Sequence, residues 1–197
     1  MHIICNIDGA IAINGASVPS PQLSVRDRPA GFARRGGAAG DTSFDLDPSL
    51  IDFLRARTDW PVALSLVSEE PEQIVYAMLE RHRLGQLPVF ARRRVGPVVE
   101  NPFGRKGCPV GGGICKCAIA GVWSRPQWAM TVYVGHARSD ACVARRADLL
   151  FATGDLAELA WANALPFVPY ETFGDVRLGL ERRMAPIARP RPGPTSR

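Results

Sequence analysis

Three nearly continuous apolar runs, IICNI at 3–7, PVALSLVS at 61–68 and AMTVYVG at 129–135, constrain this chain more than any other feature. A run that stays apolar at successive positions, without a polar residue at every second one, marks a strand buried on both faces. Such strands belong to parallel sheets covered by helices. Segments of helical spacing fall between the runs. Asp47-Pro48 supplies an N-cap and a first-turn proline, and Leu50, Ile51, Phe53 and Leu54 give a helix over about 47–57 its apolar face. Pro71-Glu72 opens a second helix, with Ile74, Val75, Met78 and Leu79 recurring at helical spacing. Residues 88–100 read as two short strands around Gly96-Pro97, and glycine-rich 104–113 leads into a helix beginning near Ile114. A helix from about 138, a strand at 148–152, a helix from 155, a short strand at 166–168 and a helix from 171 complete the alternation. The predicted class is α/β, a parallel sheet sandwiched between helices.

With 197 residues, 46% of them hydrophobic and 22% charged, the chain has material for one full core. We expect a domain over 1–185 with a loop-rich insertion at about 11–45, where Gly, Ala, Ser, Pro and Arg accumulate without periodicity. Residues 186–197, rich in Pro and Arg, are expected to be a disordered tail. The chain starts on a strand-like run with no charged leader, and no apolar stretch approaches the roughly 18 residues of a membrane span. A cytoplasmic setting is the expectation. The odd set Cys5, Cys108, Cys115, Cys117 and Cys142 does not form a disulfide framework of the secreted type and reads as reduced thiols. Zinc at Cys108, Cys115 and Cys117, with His136 or Cys142, would lack the paired C-x2-C spacing of common structural sites.

The net charge of +5 is carried almost wholly by arginine, since lysine occurs only at Lys106 and Lys116. The clusters Arg92-Arg93-Arg94 and Arg182, Arg183, Arg189 and Arg191 favour anions, but no aromatic residues interleave with them. Nucleic acid is therefore not expected as a partner. In a parallel sheet ligands sit at the carboxyl ends of the strands. Asn6, Asp8, Ser68, His136 and Asp140 all fall at or just past such ends, which groups them into one candidate site.

Asn6-Ile7-Asp8-Gly9-Ala10 after an apolar strand resembles the first motif of the haloacid dehalogenase (HAD) phosphatases, Asp-x-Asp-Gly-Thr. Ser68 at the end of VALSLVS is similar to the second motif, and Lys116, 20 residues before His136, to the third. Gly135-His136-Ala137-Arg138-Ser139-Asp140 keeps the frame of the fourth, with histidine in place of its first acid. GGGICKC and ARRADLLFATGDLAELAWANALPFVPYETFGDV resemble the phosphoserine-phosphatase-like branch, in particular the 2-hydroxy-3-keto-5-methylthiopentenyl-1-phosphate phosphatases of methionine salvage. The resemblance covers about 1–10 and 45–180.

This resemblance implies a HAD-like Rossmannoid three-layer sandwich with a reduced or disordered cap. It implies Asn6 at the nucleophile position, Asp8 as general acid, Ser68 and Lys116 on the phosphate of a small phosphorylated metabolite, and Asp140 orienting Lys116. In the family Mg²⁺ is held by the nucleophile and the first acid of the fourth motif. Asn6 and His136 remove both carboxylates, leaving Asn6, Asp8 and His136 as a degenerate Mg²⁺ site expected to be weak or empty. A neutral amide is also a poor nucleophile. The expectation is a phosphatase homologue whose activity is lost or strongly reduced. The alternatives are a divergent, active small-molecule phosphatase and a non-catalytic interaction module.

Overall fold

The computed structural model describes residues 1–13, 16–17, 44–56, 60, 62–110, 113–123 and 130–184. The core of the expected insertion, 18–43, and the tail at 186–197 lie outside these residues. The apolar runs form β1 (His2–Asn6), β5 (Ala63–Pro71) and β8 (Thr131–Gly135), and the shorter run before Thr153 forms β9 (Leu149–Ala152). β6 (Val89–Val95), β7 (Val98–Glu100) and β10 (Val168–Pro169) complete a seven-stranded sheet of order β10-β9-β8-β1-β5-β6-β7. All pairings are parallel except β6 with β7, a hairpin in which Val95 faces Val98 and Gly96 takes φ +60°. A positive φ at that tight turn favours glycine, and the sequence supplies it.

Strand pleating sends alternate residues of β1 to opposite faces. Ile3, Cys5 and Ile7 join α1 (Pro48–Ala56), α2 (Glu72–Arg81) and α6 (Phe173–Met184) in one apolar cluster. Ile4 joins α3 (Lys116–Trp123), α4 (Ala141–Ala144) and α5 (Gly154–Ala162) in the other. The result is a three-layer α/β fold. Phe53 anchors the first layer, stacking tilted on Phe173 at 5.7 Å and edge-on to Trp60 at 5.9 Å. Asp47 caps α1 as its sequence position requires, accepting from the Ser49 amide at 2.7 Å.

At the two ends of the loop-rich stretch expected at 11–45, the described residues include short strands. β2 (Ile11–Ile13), β3 (Ala16–Ser17) and β4 (Phe44–Leu46) form a small antiparallel sheet of order β3-β2-β4. Runs of two or three residues are too short to show an alternating pattern, and backbone pairing decides them, between neighbours for β2 and β3 and between distant segments for β2 and β4. The Asp47 amide bonds the Ala10 carbonyl at 2.8 Å, so the two ends of the insertion are held together beside β1. No helix among the described residues is long and apolar enough to cross a membrane.

Candidate functional site

The central strand β1 ends at Asn6, between the ends of β5 and β8, and the backbone then turns through a short 3-10 segment, Asp8–Ala10. Ser68 lies within β5, just after its last paired residue beside β1, and His136 follows β8 directly. A second 3-10 turn, Arg138–Asp140, brings Asp140 back under the end of β8, and Lys116 begins α3. The convergence rests on parallel topology, which puts the carboxyl ends of β1, β5 and β8 side by side. Asn6, Asp8, Ser68, Lys116, Asp140 and the ring of His136 thus lie close together.

Asp140 is the hub. Its carboxylate is fully buried and accepts from five groups among the described residues. Lys116 Nζ donates to Oδ1 at 2.5 Å and Tyr133 donates its hydroxyl at 2.9 Å. The backbone amides of His136 and Ala137 both donate to Oδ2 at 3.1 Å. Asn6 Nδ2 donates to both oxygens, at 3.0 Å and 3.1 Å. Asn6 Oδ1 in turn accepts the Asp8 amide at 3.2 Å, so each end of that side chain meets its complement. Gly135 makes this close approach possible, because a Cβ there would stand 2.6 Å from both Asp140 Oδ2 and the Tyr133 ring.

Burial alone would raise the Asp140 carboxyl, but the Lys116 ammonium and the hydrogen bonds prevail and hold it below the usual carboxylate range. Burial likewise opposes the Lys116 charge, yet Asp140 and Asp8 nearby push its pKa above the ordinary lysine value. Tyr133 is pushed well above the ordinary tyrosine value by burial and by the Asp140 charge, so its hydroxyl stays a donor.

Asp8 forms the second focus. Ser68 Oγ donates to its Oδ1 at 2.6 Å, and the Glu69 amide reaches both oxygens at 3.1 Å and 3.0 Å. Two donors of the kind that would hold a phosphate oxygen are therefore directed at an internal carboxylate. The Glu69 side chain accepts from Arg92 at 2.6 Å and from the Ile114 amide at 3.3 Å, which ties β5 to β6 and to the approach of α3. Lys116 also donates to Ser139 Oγ at 2.9 Å. His136 lies half-buried over Gly9, its ring 2.7–2.9 Å from where a Cβ on Gly9 would be, and its Nδ1 has no hydrogen-bond partner among the described residues.

Tyr133, Ser139 and Glu69 escaped the sequence reading. For Tyr133 the one signal is a hydroxyl inside an otherwise apolar strand, and for Ser139 its place within the Gly135–Asp140 frame. Glu69 carries no signal beyond adjacency to Ser68.

A hard divalent cation needs oxygen ligands with free lone pairs. Each Asp140 oxygen already accepts three hydrogen bonds, and Asn6 presents to it an N–H donor rather than an oxygen. His136 adds an imidazole suited to softer metals. No group of three or more His, Cys, Asp or Glu among the described residues is placed to hold a metal ion. Asn6 and His136 thus offer a hard cation no carboxylate. Asn6 is also unsuited to attack phosphorus, since its amide nitrogen is delocalised and both its polar ends are engaged.

Order of strands, layers and site position together define a HAD-like α/β fold. A solved structure agrees at that level. In fold the chain is similar to the cobalt-bound deoxy-D-mannose-octulosonate 8-phosphate phosphatase YrbI of Haemophilus influenzae, with 15% identity, a TM-score of 0.53, and coverage of 92% of this chain and 86% of that one. The HAD domain of the effector Lem4 from Legionella pneumophila is also found, at 14% identity and a TM-score of 0.47, over 92% of this chain and 90% of that one. No protein-family model matches the sequence, and no curated protein is significantly similar to it.

Proposed function

We propose that this chain is a HAD-type phosphatase homologue in which phosphoester hydrolysis is lost or strongly reduced. The observation that carries this reading is the pair of hydrogen bonds from Asn6 to Asp140, at 3.0 Å and 3.1 Å. An amide donor bridges the place where the family brings carboxylates together around a cation, and the Lys116 ammonium supplies the remaining counter-charge. Mg²⁺ affinity is weak or absent on this reading. The branch resembled is that of the 2-hydroxy-3-keto-5-methylthiopentenyl-1-phosphate phosphatases, and the setting is cytoplasmic.

The ligand class is a small phosphorylated metabolite. Ser68 Oγ, the Glu69 amide and Lys116 Nζ are the donors that would meet its phosphate. The first two are engaged by Asp8 at 2.6–3.1 Å, so binding requires the Asp8 side chain to give them up. Affinity is therefore modest, because each exchanged hydrogen bond offsets one already made.

The test is phosphate release measured with malachite green over a panel of phosphomonoesters, with and without Mg²⁺. Wild type is expected at the buffer rate, and the Asn6→Asp/His136→Asp variant is expected to gain Mg²⁺-dependent turnover. Robust Mg²⁺-dependent hydrolysis by the purified wild type would overturn the proposal. A folded double variant that neither binds Mg²⁺ nor hydrolyses any ester would overturn the assignment of these positions.

A further inference from the structure

Four of the five cysteines gather around the start of α3. Cys115 immediately precedes Lys116 and Cys117 follows it, while Cys142 sits on α4, which packs against α3. The segment bearing Cys108 is drawn in by the bond from the Cys115 amide to the Phe103 carbonyl at 2.8 Å and by the turn from Cys108 to Arg105 at 3.2 Å. One apolar cluster contains Cys115 and Cys117 and has Cys108 and Cys142 packed at its margin. Within it each buried thiol has a half-buried one as its nearest partner, Cys115 beside Cys108 and Cys117 beside Cys142, and the two pairs lie close to each other.

The pairs share a design. Cys115 and Cys117 are 2% and 7% exposed, whereas Cys108 and Cys142 are only half-buried. Each pair couples a sheltered thiol to one that solvent reaches. A single tetrahedral metal centre would require all the sulfurs to converge on one point, and no three metal-binding side chains among the described residues do so.

We propose that these thiols are a two-pair oxidation site, in which Cys108–Cys115 and Cys117–Cys142 form intramolecular disulfides when the protein meets a peroxide. The outer thiolate, Cys108 or Cys142, attacks the peroxide, breaking its O–O bond and yielding a sulfenic acid and one water. The inner thiol then attacks that sulfur, the S–S bond forms and a second water leaves. Each pair loses two electrons and two protons, and the peroxide takes both. Burial, the largest cause, raises the Cys115 thiol and lifts that of Cys117 to about 12. A reduced pair that gains little as thiolate favours the disulfide, so once formed the bonds resist reduction. They would fix α3 to α4 and the 101–110 segment to the head of α3, on either side of the lysine that holds Asp140.

The full chain, reduced with dithiothreitol and desalted, is titrated with hydrogen peroxide, trapped with N-ethylmaleimide and digested with trypsin. The peptide 107–116 is expected two hydrogens lighter, and the peptide beginning at Cys117 is expected joined to 139–145, leaving Cys5 as the one alkylated cysteine. Cys142→Ser, at the more exposed partner, should abolish the joined peptides and leave the 107–116 bond intact. Full alkylation after excess peroxide would refute the proposal. So would a Cys115–Cys117 bond, disulfides between chains, or release of stoichiometric zinc in place of disulfide formation.

Discussion

Replacing Asn6 by aspartate puts a carboxylate oxygen where an amide nitrogen now donates to Asp140 at 3.0 Å and 3.1 Å. Two like charges at that separation repel by about 5 kcal/mol even at an effective dielectric constant of about 20. The variant has a cheaper route, which is to keep one proton on the pair. Holding a carboxyl with an ordinary pKa near 3.9 protonated at pH 7 costs about 4 kcal/mol, and the protonated oxygen donates to Asp140 as the amide did. With Lys116 offsetting part of the repulsion, Asn6→Asp is expected to lose about 2–4 kcal/mol at pH 7.

The sign of the pH dependence follows from linkage. The new carboxyl has its folded pKa raised above the unfolded value, so its penalty is present above the unfolded value and disappears as pH falls toward it. The deficit relative to wild type should shrink by about 1.4 kcal/mol per pH unit in the window below the raised folded value, reaching about 1.5 kcal/mol or less at pH 5. Urea unfolding followed by circular dichroism between pH 4.5 and about 7.5 measures it, with Asn6→Ala as control. The alanine variant should lose about 1.5–3 kcal/mol with no such slope, because it removes a donor to a charged group and adds no titrating one. An Asn6→Asp protein as stable as wild type, or a deficit independent of pH, would refute the claim that this contact balances the Asp140 charge.

Lys116→Met leaves Asp140 without its counter-ion and should cost about 3–5 kcal/mol by chemical denaturation, with part of the loss recovered on adding Asp140→Asn. Wild-type stability should be highest between two limbs. The lowered carboxyl of Asp140 contributes above the unfolded carboxylate value and is lost as pH falls through its folded one. The raised Lys116 contributes below the ordinary lysine value and is lost as pH rises through its folded one, and melting temperature against pH reads both limbs. Gly9→Ala would put a methyl group 2.7 Å from the His136 ring, so it should destabilise by about 1–3 kcal/mol, and His136→Ala in the same chain should relieve most of that in a double-mutant cycle.

The secondary structure was legible where a local pattern carries it. The strand–helix alternation, the Asp47 cap and the turn at Gly96-Pro97 all emerged within about three residues of their expected places, because burial period and capping chemistry are written into neighbouring residues. β2, β3 and β4 were not, since runs of two or three residues show no pattern of their own and exist only through backbone pairing, β2 with adjacent β3 and with distant β4. Within the site, the grouping of Asn6, Asp8, Ser68, His136 and Asp140 came from strand ends, and Lys116 from the resemblance to the third motif. The part played by Tyr133, whose hydroxyl reaches Asp140 from within β8, did not.

By itself, then, the sequence determined which segments are buried strands and helices, and which polar residues collect at the sheet's carboxyl edge, because periodicity and turn chemistry are local. Only the tertiary structure decided that Asn6 turns its amide hydrogens toward Asp140, that Ser68 and the Glu69 amide close on Asp8, and that four thiols gather at one apolar cluster. The direction of a donor, and the identity of what it meets, depends on segments 60 to 134 residues apart being packed at hydrogen-bond distance. No local pattern encodes that.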